Sequence, residues 1–126
     1  MQEMIREFLR VKIHRATITA ADLDYVGSIT IPGGLCDQVG LLQGEKVDVL
    51  NITNGERLTT YVIRGAEPGV FQMNGAAAHK VKPGPLVIIA SYCGLTDAEI
   101  PTHSATIAIM TPDNAVDRIT RFPAIP

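Results

Sequence analysis

The sequence predicts a small, mainly β domain closed as a barrel, with one or two short helices. Three observations predict it. Short runs of β-branched and alternating residues recur along the whole chain, turn dipeptides punctuate them, and helical periodicity never persists.

The first run, residues 9–14, sets Leu9, Val11 and Ile13 on one face and Arg10, Lys12 and His14 on the other. A period of two is the mark of a half-buried strand. A second strand is expected over 25–31, and a short helix over 35–39, stopped by Gly40. Strands over 46–53 and 58–64 flank Asn54-Gly55, a strong hairpin dipeptide. A helical turn or two is expected at 76–79. The next strand, 86–92, includes Leu86-Val87-Ile88-Ile89-Ala90, which is apolar on both faces and suits burial between layers. A closing strand follows at 106–110. Pro68-Gly69, Asn74-Gly75, Pro83-Gly84-Pro85 and Pro112-Asp113-Asn114 supply the remaining turns. Barrel closure hides the edges of so many short strands.

With 126 residues, 46% of them hydrophobic, the chain supports one domain, residues 1–126, and not two. The net charge of -2 comes without a basic stripe, so neither nucleic acid nor an acidic membrane surface is an expected partner. No apolar run approaches the roughly 20 residues of a membrane span. The N-terminus carries charges instead of a signal-peptide core, so a cytoplasmic location is expected. Cys36 and Cys93 are far apart and read as small buried hydrophobes in a reducing compartment. His79 and His103 have no partners at metal-ligand spacing, so no metal site is expected.

Gly27-Ser28 carries the distinctive chemistry. A glycine carbonyl can be approached closely, because no Cβ shields it. The hydroxyl of the following serine can attack it through a five-membered ring and move the acyl group from nitrogen to oxygen. Elimination of the ester leaves dehydroalanine, whose hydrolysis gives a pyruvoyl group and ammonia. Alone, the dipeptide reads as an ordinary turn, since serine is a weak nucleophile without help.

Its neighbours change that reading. Lys12-Ile13-His14-Arg15-Ala16 is followed by Ala21-Asp22-Leu23-Asp24-Tyr25-Val26-Gly27-Ser28, then by Asn51-Ile52-Thr53-Asn54-Gly55-Glu56-Arg57-Leu58-Thr59-Thr60-Tyr61. Asn74-Gly75-Ala76-Ala77-Ala78-His79 and Val87-Ile88-Ile89-Ala90-Ser91 complete the series. In this order and spacing the blocks resemble the bacterial aspartate 1-decarboxylase family over nearly the full length.

The resemblance implies a double-psi β-barrel assembled as a homotetramer, with active sites between subunits. It implies a zymogen that cuts itself into a β chain, 1–27, and an α chain, 28–126, headed by a covalent pyruvoyl cofactor derived from Ser28. The implied reaction is a lyase reaction, decarboxylation of L-aspartate to β-alanine for pantothenate and coenzyme A synthesis. It proceeds through a Schiff base to the keto group, which serves as the electron sink. The residues named as catalytic are Gly27, Ser28, Thr60 and Tyr61: Thr60 polarises the Gly27 carbonyl and Tyr61 reprotonates the carbanion. Substrate falls to Lys12, Arg57, Thr60, Asn74 and the backbone of Gly75, Ala76 and Ala77.

His14, Tyr25, Leu50 and Ile88 are accessory positions. As isolated residues these also have plain readings: Lys12 and Arg57 as solvated charges, His14 as a packing group, Tyr25 and Ile88 as core, and Thr60 and Tyr61 as strand formers. Thr60 and Tyr61 point to opposite faces of an ideal strand, so joint service needs a bend, a strong twist or two subunits. Leu50 stands where many family members carry tryptophan, and residues 102–126 match only loosely. Two alternatives therefore stand beside the main reading. One is a pyruvoyl enzyme acting on a related amino acid, and the other is a barrel used as a binding module without catalysis.

Overall fold

The computed structural model describes residues 3–23, 27–79 and 83–126. Its elements in chain order are β1 (Ile5–Thr17), β2 (Ala20–Asp22), β3 (Ser28–Pro32), α1 (Gly33–Val39), β4 (Lys46–Asn51), β5 (Arg57–Gly65), β6 (Gln72–Asn74), a 3-10 turn (Gly75–His79), β7 (Leu86–Thr96), a 3-10 turn (Ile100–Thr102), β8 (Ser104–Met110) and β9 (Val116–Pro123). The expected mainly β chain with one or two short helices is what forms, the second candidate, 76–79, falling in a 3-10 turn.

The strands hydrogen-bond in the order β2-β6-β3-β5-β4-β7-β1-β8-β9. Most neighbours are antiparallel, but β1·β8, β2·β6 and β3·β5 run parallel. One core gathers Val11, Ile29, Leu35, Val47, Val62, Met73, Val87 and Ala108, so seven strands and the helix meet in it. A flat sheet of that width cannot bring its distant strands to one core; curling into a barrel can. The outer strands β2 and β9 add no fully buried residue to it.

Strand β1 is longer than the expected 9–14 and is bulged twice against β7, between Leu9 and Val11 and between His14 and Ala16. Arg15, at the second bulge, has φ 67°, the left-handed conformation a side chain rarely adopts. The extra residue reverses the alternation. Val11 and Ile13 point inward before it, and Ala16 and Ile18 after it.

The helix ends as expected, with Gly40 at φ 84° donating its N–H to the Cys36 carbonyl at 2.8 Å. The expected 46–53 strand stops early, at Asn51. That residue's buried side chain accepts from the Thr53 and Asn54 N–H groups, at 2.9 and 3.3 Å, and turns the chain. Of the two cysteines, neither bonded to the other, Cys36 is buried as expected whereas Cys93 is only half-buried.

Candidate active site

Strand pairing sets Ser28 directly opposite Asn74, and Thr30 opposite Gln72, in the antiparallel β3·β6 ribbon. Successive pairs two residues apart share one face, so four polar side chains meet there. Asn74 Nδ2 donates to Ser28 Oγ at 2.9 Å and to Thr30 Oγ1 at 3.0 Å. Gln72 Nε2 donates to Asn74 Oδ1 at 2.7 Å. Ser28 and Asn74 are both 0% exposed. Desolvation makes every member of such a network expensive to leave unpaired, so the geometry is held firmly.

An open cleft of about 420 Å³ lies beside this ribbon, lined by Gly27, Leu58, Thr59, Thr60, Tyr61, Ala76 and Ala77. Among the described residues other than its chain neighbours, the nearest atom to a Cβ built on Gly27 is the backbone nitrogen of Ala76, at 4.0 Å. Strand β5 explains how Thr60 and Tyr61 both reach the cleft. Its pairing with β3 starts only at Val62, while its 57–61 stretch pairs with β4 on the other side. Among the described residues no strand pairs with that edge of the 57–61 stretch, and both Thr60 and Tyr61 line the cleft. Gly75, at φ 60°, turns the chain from β6 into the 3-10 turn that presents Ala76 and Ala77 to the cleft.

A second group of expected residues lies elsewhere, on the outer face. Arg57 pairs with Leu50, Leu50 with Ile88, and Ile88 with His14, a continuous row across β5, β4, β7 and β1. Lys12 belongs to the next row, with Ala90 and Asp48. Arg57 and Leu50 share a smaller depression with Asp48, Leu58 and Thr59, contiguous with the cleft through Leu58 and Thr59. Lys12 and His14 line neither, lying on β1, three strands along the sheet from β5. Within one chain they are not among the residues that line the cleft with Gly27. Among the described residues neither Lys12 nor Arg57 forms an ion pair.

Burial, reinforced by the charges of Lys12 and Arg15, pushes the His14 imidazole below its ordinary pKa, and its buried Nδ1 has no hydrogen-bond partner among the described residues. Tyr25 lies outside the described residues. No cluster of metal-ligating side chains exists among the described residues. Sequence reasoning missed Gln72 and Thr30. Parity could have found Thr30, two residues from Ser28 on the expected 25–31 strand, but Gln72 lies on no expected strand.

The model of the aspartate decarboxylase family matches residues 4–117. The chain belongs to the aspartate decarboxylase family. It is 54% identical over 114 residues to an aspartate 1-decarboxylase of Corynebacterium efficiens, covering 90% of this chain and 84% of the relative. A Frankia casuarinae aspartate 1-decarboxylase 1 is 49% identical over 120 residues, 94% of this chain and 78% of that one. The aspartate 1-decarboxylase of Clostridium beijerinckii is 47% identical, again over 120 residues, covering 94% and 97%. The family match ends inside β9, in the region whose resemblance was loosest. No helix among the described residues is long and apolar enough to cross a membrane.

Proposed function

We propose that the chain is a self-processing aspartate 1-decarboxylase, turning L-aspartate into β-alanine and carbon dioxide in the cytoplasm, on the route to pantothenate and coenzyme A. The observation that carries this is the convergence, in a member of that family, of Gly27, Thr60, Tyr61 and Ala76 on one cleft beside a buried serine.

Processing starts when Ser28 Oγ attacks the Gly27 carbonyl carbon. The C–N bond breaks, nitrogen takes up the proton, and an ester joins the two residues. Removal of the Ser28 Cα proton to solvent then expels Oγ with its bonding electrons as the Gly27 carboxylate. Water hydrolyses the remaining enamine, through its imine tautomer, to the keto group with loss of ammonia. Thr60 acts on the Gly27 carbonyl, where charge develops on oxygen during the first step.

The residues around Ser28 suit a pyruvoyl group in its place: a small buried position, hydroxyl and amide neighbours, and an opening at Gly27. Bound there, it supplies the sink for the electron pair freed when carbon dioxide leaves. Arg57, beside the cleft, takes a substrate carboxylate as a two-pronged donor. The N–H groups of Gly75, Ala76 and Ala77 and the Asn74 amide orient the rest. Tyr61 Oη returns a proton to the carbon that lost carbon dioxide.

Lys12 and His14 act on the cleft of a neighbouring copy in a homotetramer with active sites between subunits. Their absence from the cleft lining within one chain supports this, as do the half-buried Leu50, Ile88, Ile107 and Ile109 along the outer face. The three parallel pairings fit the crossed connections of a double-psi barrel.

Mass spectrometry of aged protein tests the reading. Two fragments are expected, 1–27 and 28–126, the larger with a carbonyl in place of its amino terminus, together with β-alanine formation. Ser28→Ala should stay in one piece and release no β-alanine. Decarboxylation by an intact chain would overturn the proposal.

A further inference from the structure

The Asn74 amide can lie in its site two ways, with its NH2 or its carbonyl oxygen toward Ser28. With NH2 inward it donates to Ser28 Oγ and Thr30 Oγ1 at once. Those two hydroxyls do not decide the matter, since each both donates and accepts and would also satisfy an inward carbonyl. Gln72 couples to that choice: its Nε2 donates to Asn74 Oδ1 at 2.7 Å, and turning the Asn74 amide over would set one NH2 against another unless the Gln72 amide turned with it. Register sets residue 72 opposite Thr30 and two residues from Asn74 on the same face, so the two amides are neighbours.

Orientation matters because Ser28 Oγ is the atom that must leave. This rests on the processing proposed above. When the Cα proton of residue 28 passes to solvent and the Cβ–Oγ bond breaks, the electron pair departs on Oγ, which becomes a carboxylate oxygen of Gly27. An N–H aimed at Oγ stabilises that growing charge, whereas an amide oxygen there opposes it. We infer that Gln72 is a positioning residue for self-cleavage: it locks the Asn74 amide with its N–H toward the leaving oxygen and thereby speeds elimination of the ester.

Gln72→Glu and Gln72→Met test this, because each nearly preserves the side chain's length and volume while removing the donor. Glutamate goes further: as an acceptor it draws the Asn74 NH2 toward itself and away from Ser28. Each protein is purified uncleaved and incubated. Fragment formation is followed by mass spectrometry, and samples are treated with hydroxylamine, which cleaves an ester to a Gly27 hydroxamate but spares the amide. Thermal midpoints are measured alongside.

The wild type should cleave with little hydroxylamine-sensitive material. Gln72→Glu should cleave at least tenfold more slowly while accumulating the ester, with Gln72→Met between the two. Wild-type rates in both variants would overturn the inference. So would equal slowing in both that tracks the loss of thermal stability without ester accumulation, the signature of a packing role. A wild type that never cleaves would sink the processing reading itself, a result separable from either.

Discussion

Glu45 anchors the loop after α1, and its removal has a calculable cost. Oε2 accepts from Ser91 Oγ at 2.5 Å and from Arg10, and Oε1 accepts from the Leu42 N–H at 3.1 Å. Arg10 in turn donates to the Gly40 carbonyl at 2.9 Å, just past the helix end. The Arg10 and Glu45 side chains are 29% and 22% exposed, so solvent weakens the pair without cancelling it. Losing one partner of a fully buried pair costs about 3–5 kcal/mol, and an exposed pair contributes under about 1 kcal/mol. Between these limits, Glu45→Ala should cost about 2–3 kcal/mol, lowering Tm by roughly 6–12 °C in a domain of this size.

The pH dependence gives a sharper test. Burial raises the Glu45 pKa, but the hydrogen bonds from Ser91, the Leu42 N–H and Arg10, with the Arg10 charge, outweigh it and set the carboxyl below its ordinary 4.5. A pKa depressed by folding adds stability above the unfolded value and loses it as pH falls through the folded one. The Tm gap between wild type and Glu45→Gln should therefore be full at pH 7 and shrink steadily below about pH 4.5. Other acids titrate there too, but equally in both proteins. A gap that is absent at neutral pH, or that widens in acid, would refute this account of the clamp.

Three further outcomes are expected. Thr60→Val, which keeps shape and removes the hydroxyl, should slow Gly27–Ser28 cleavage about 10²–10³-fold, read as fragment formation over time. Leu50→Trp fills the space beside Arg57, so it should raise the kcat/KM preference for aspartate over 3-methylaspartate by about tenfold, the range of one methylene in a pocket; an unchanged ratio argues that residue 50 does not touch substrate. Burial raises the Cys36 thiol pKa, with the Arg64 charge opposing it, so iodoacetamide at pH 8 should leave Cys36 unmodified in folded protein and label it in denaturant.

What could be read from the sequence follows physical lines. Strands with one wet face announce themselves by alternation, and β1, β4, β5, β7 and β8 were all located by it or by apolar runs, as α1 was by its Gly40 stop. Strand β9 escaped because it is an edge: Asp117, Arg118 and Arg121 are exposed and no residue of it is fully buried, so selection for burial left no period. The three-residue strands β2 and β6 are too short to show a period at all.

Site residues were legible as types and not as places. That Ser28 and Asn74 are neighbours depends on β3 pairing with β6, a contact across 46 positions that no local pattern encodes. The same limit hid Gln72, whose importance comes only from facing Asn74.

The separation of the site into two groups has a consequence for reading substitutions. Gly27, Ser28, Thr60, Tyr61, Asn74 and Ala76 gather at one end of the β3–β5–β6 region of one chain. Lys12 and His14 sit on β1 beyond β4 and β7, on a face that also shows half-buried Ile107 and Ile109. In the assembly proposed above, changes there act on a neighbouring copy, and the bulge at Arg15 sets which side chains that face presents. Pairing β1 without the bulge, with Arg15 taken into the ladder as an ordinary strand residue, would restore simple alternation and rotate one flank of the strand by one position. Either Val11 and Ile13 would then leave the core, with Lys12 and His14 turning inward, or Ala16 and Ile18 would leave it. The bulge lets one strand serve the core on both sides of residue 15 and still present Lys12 and His14 outward.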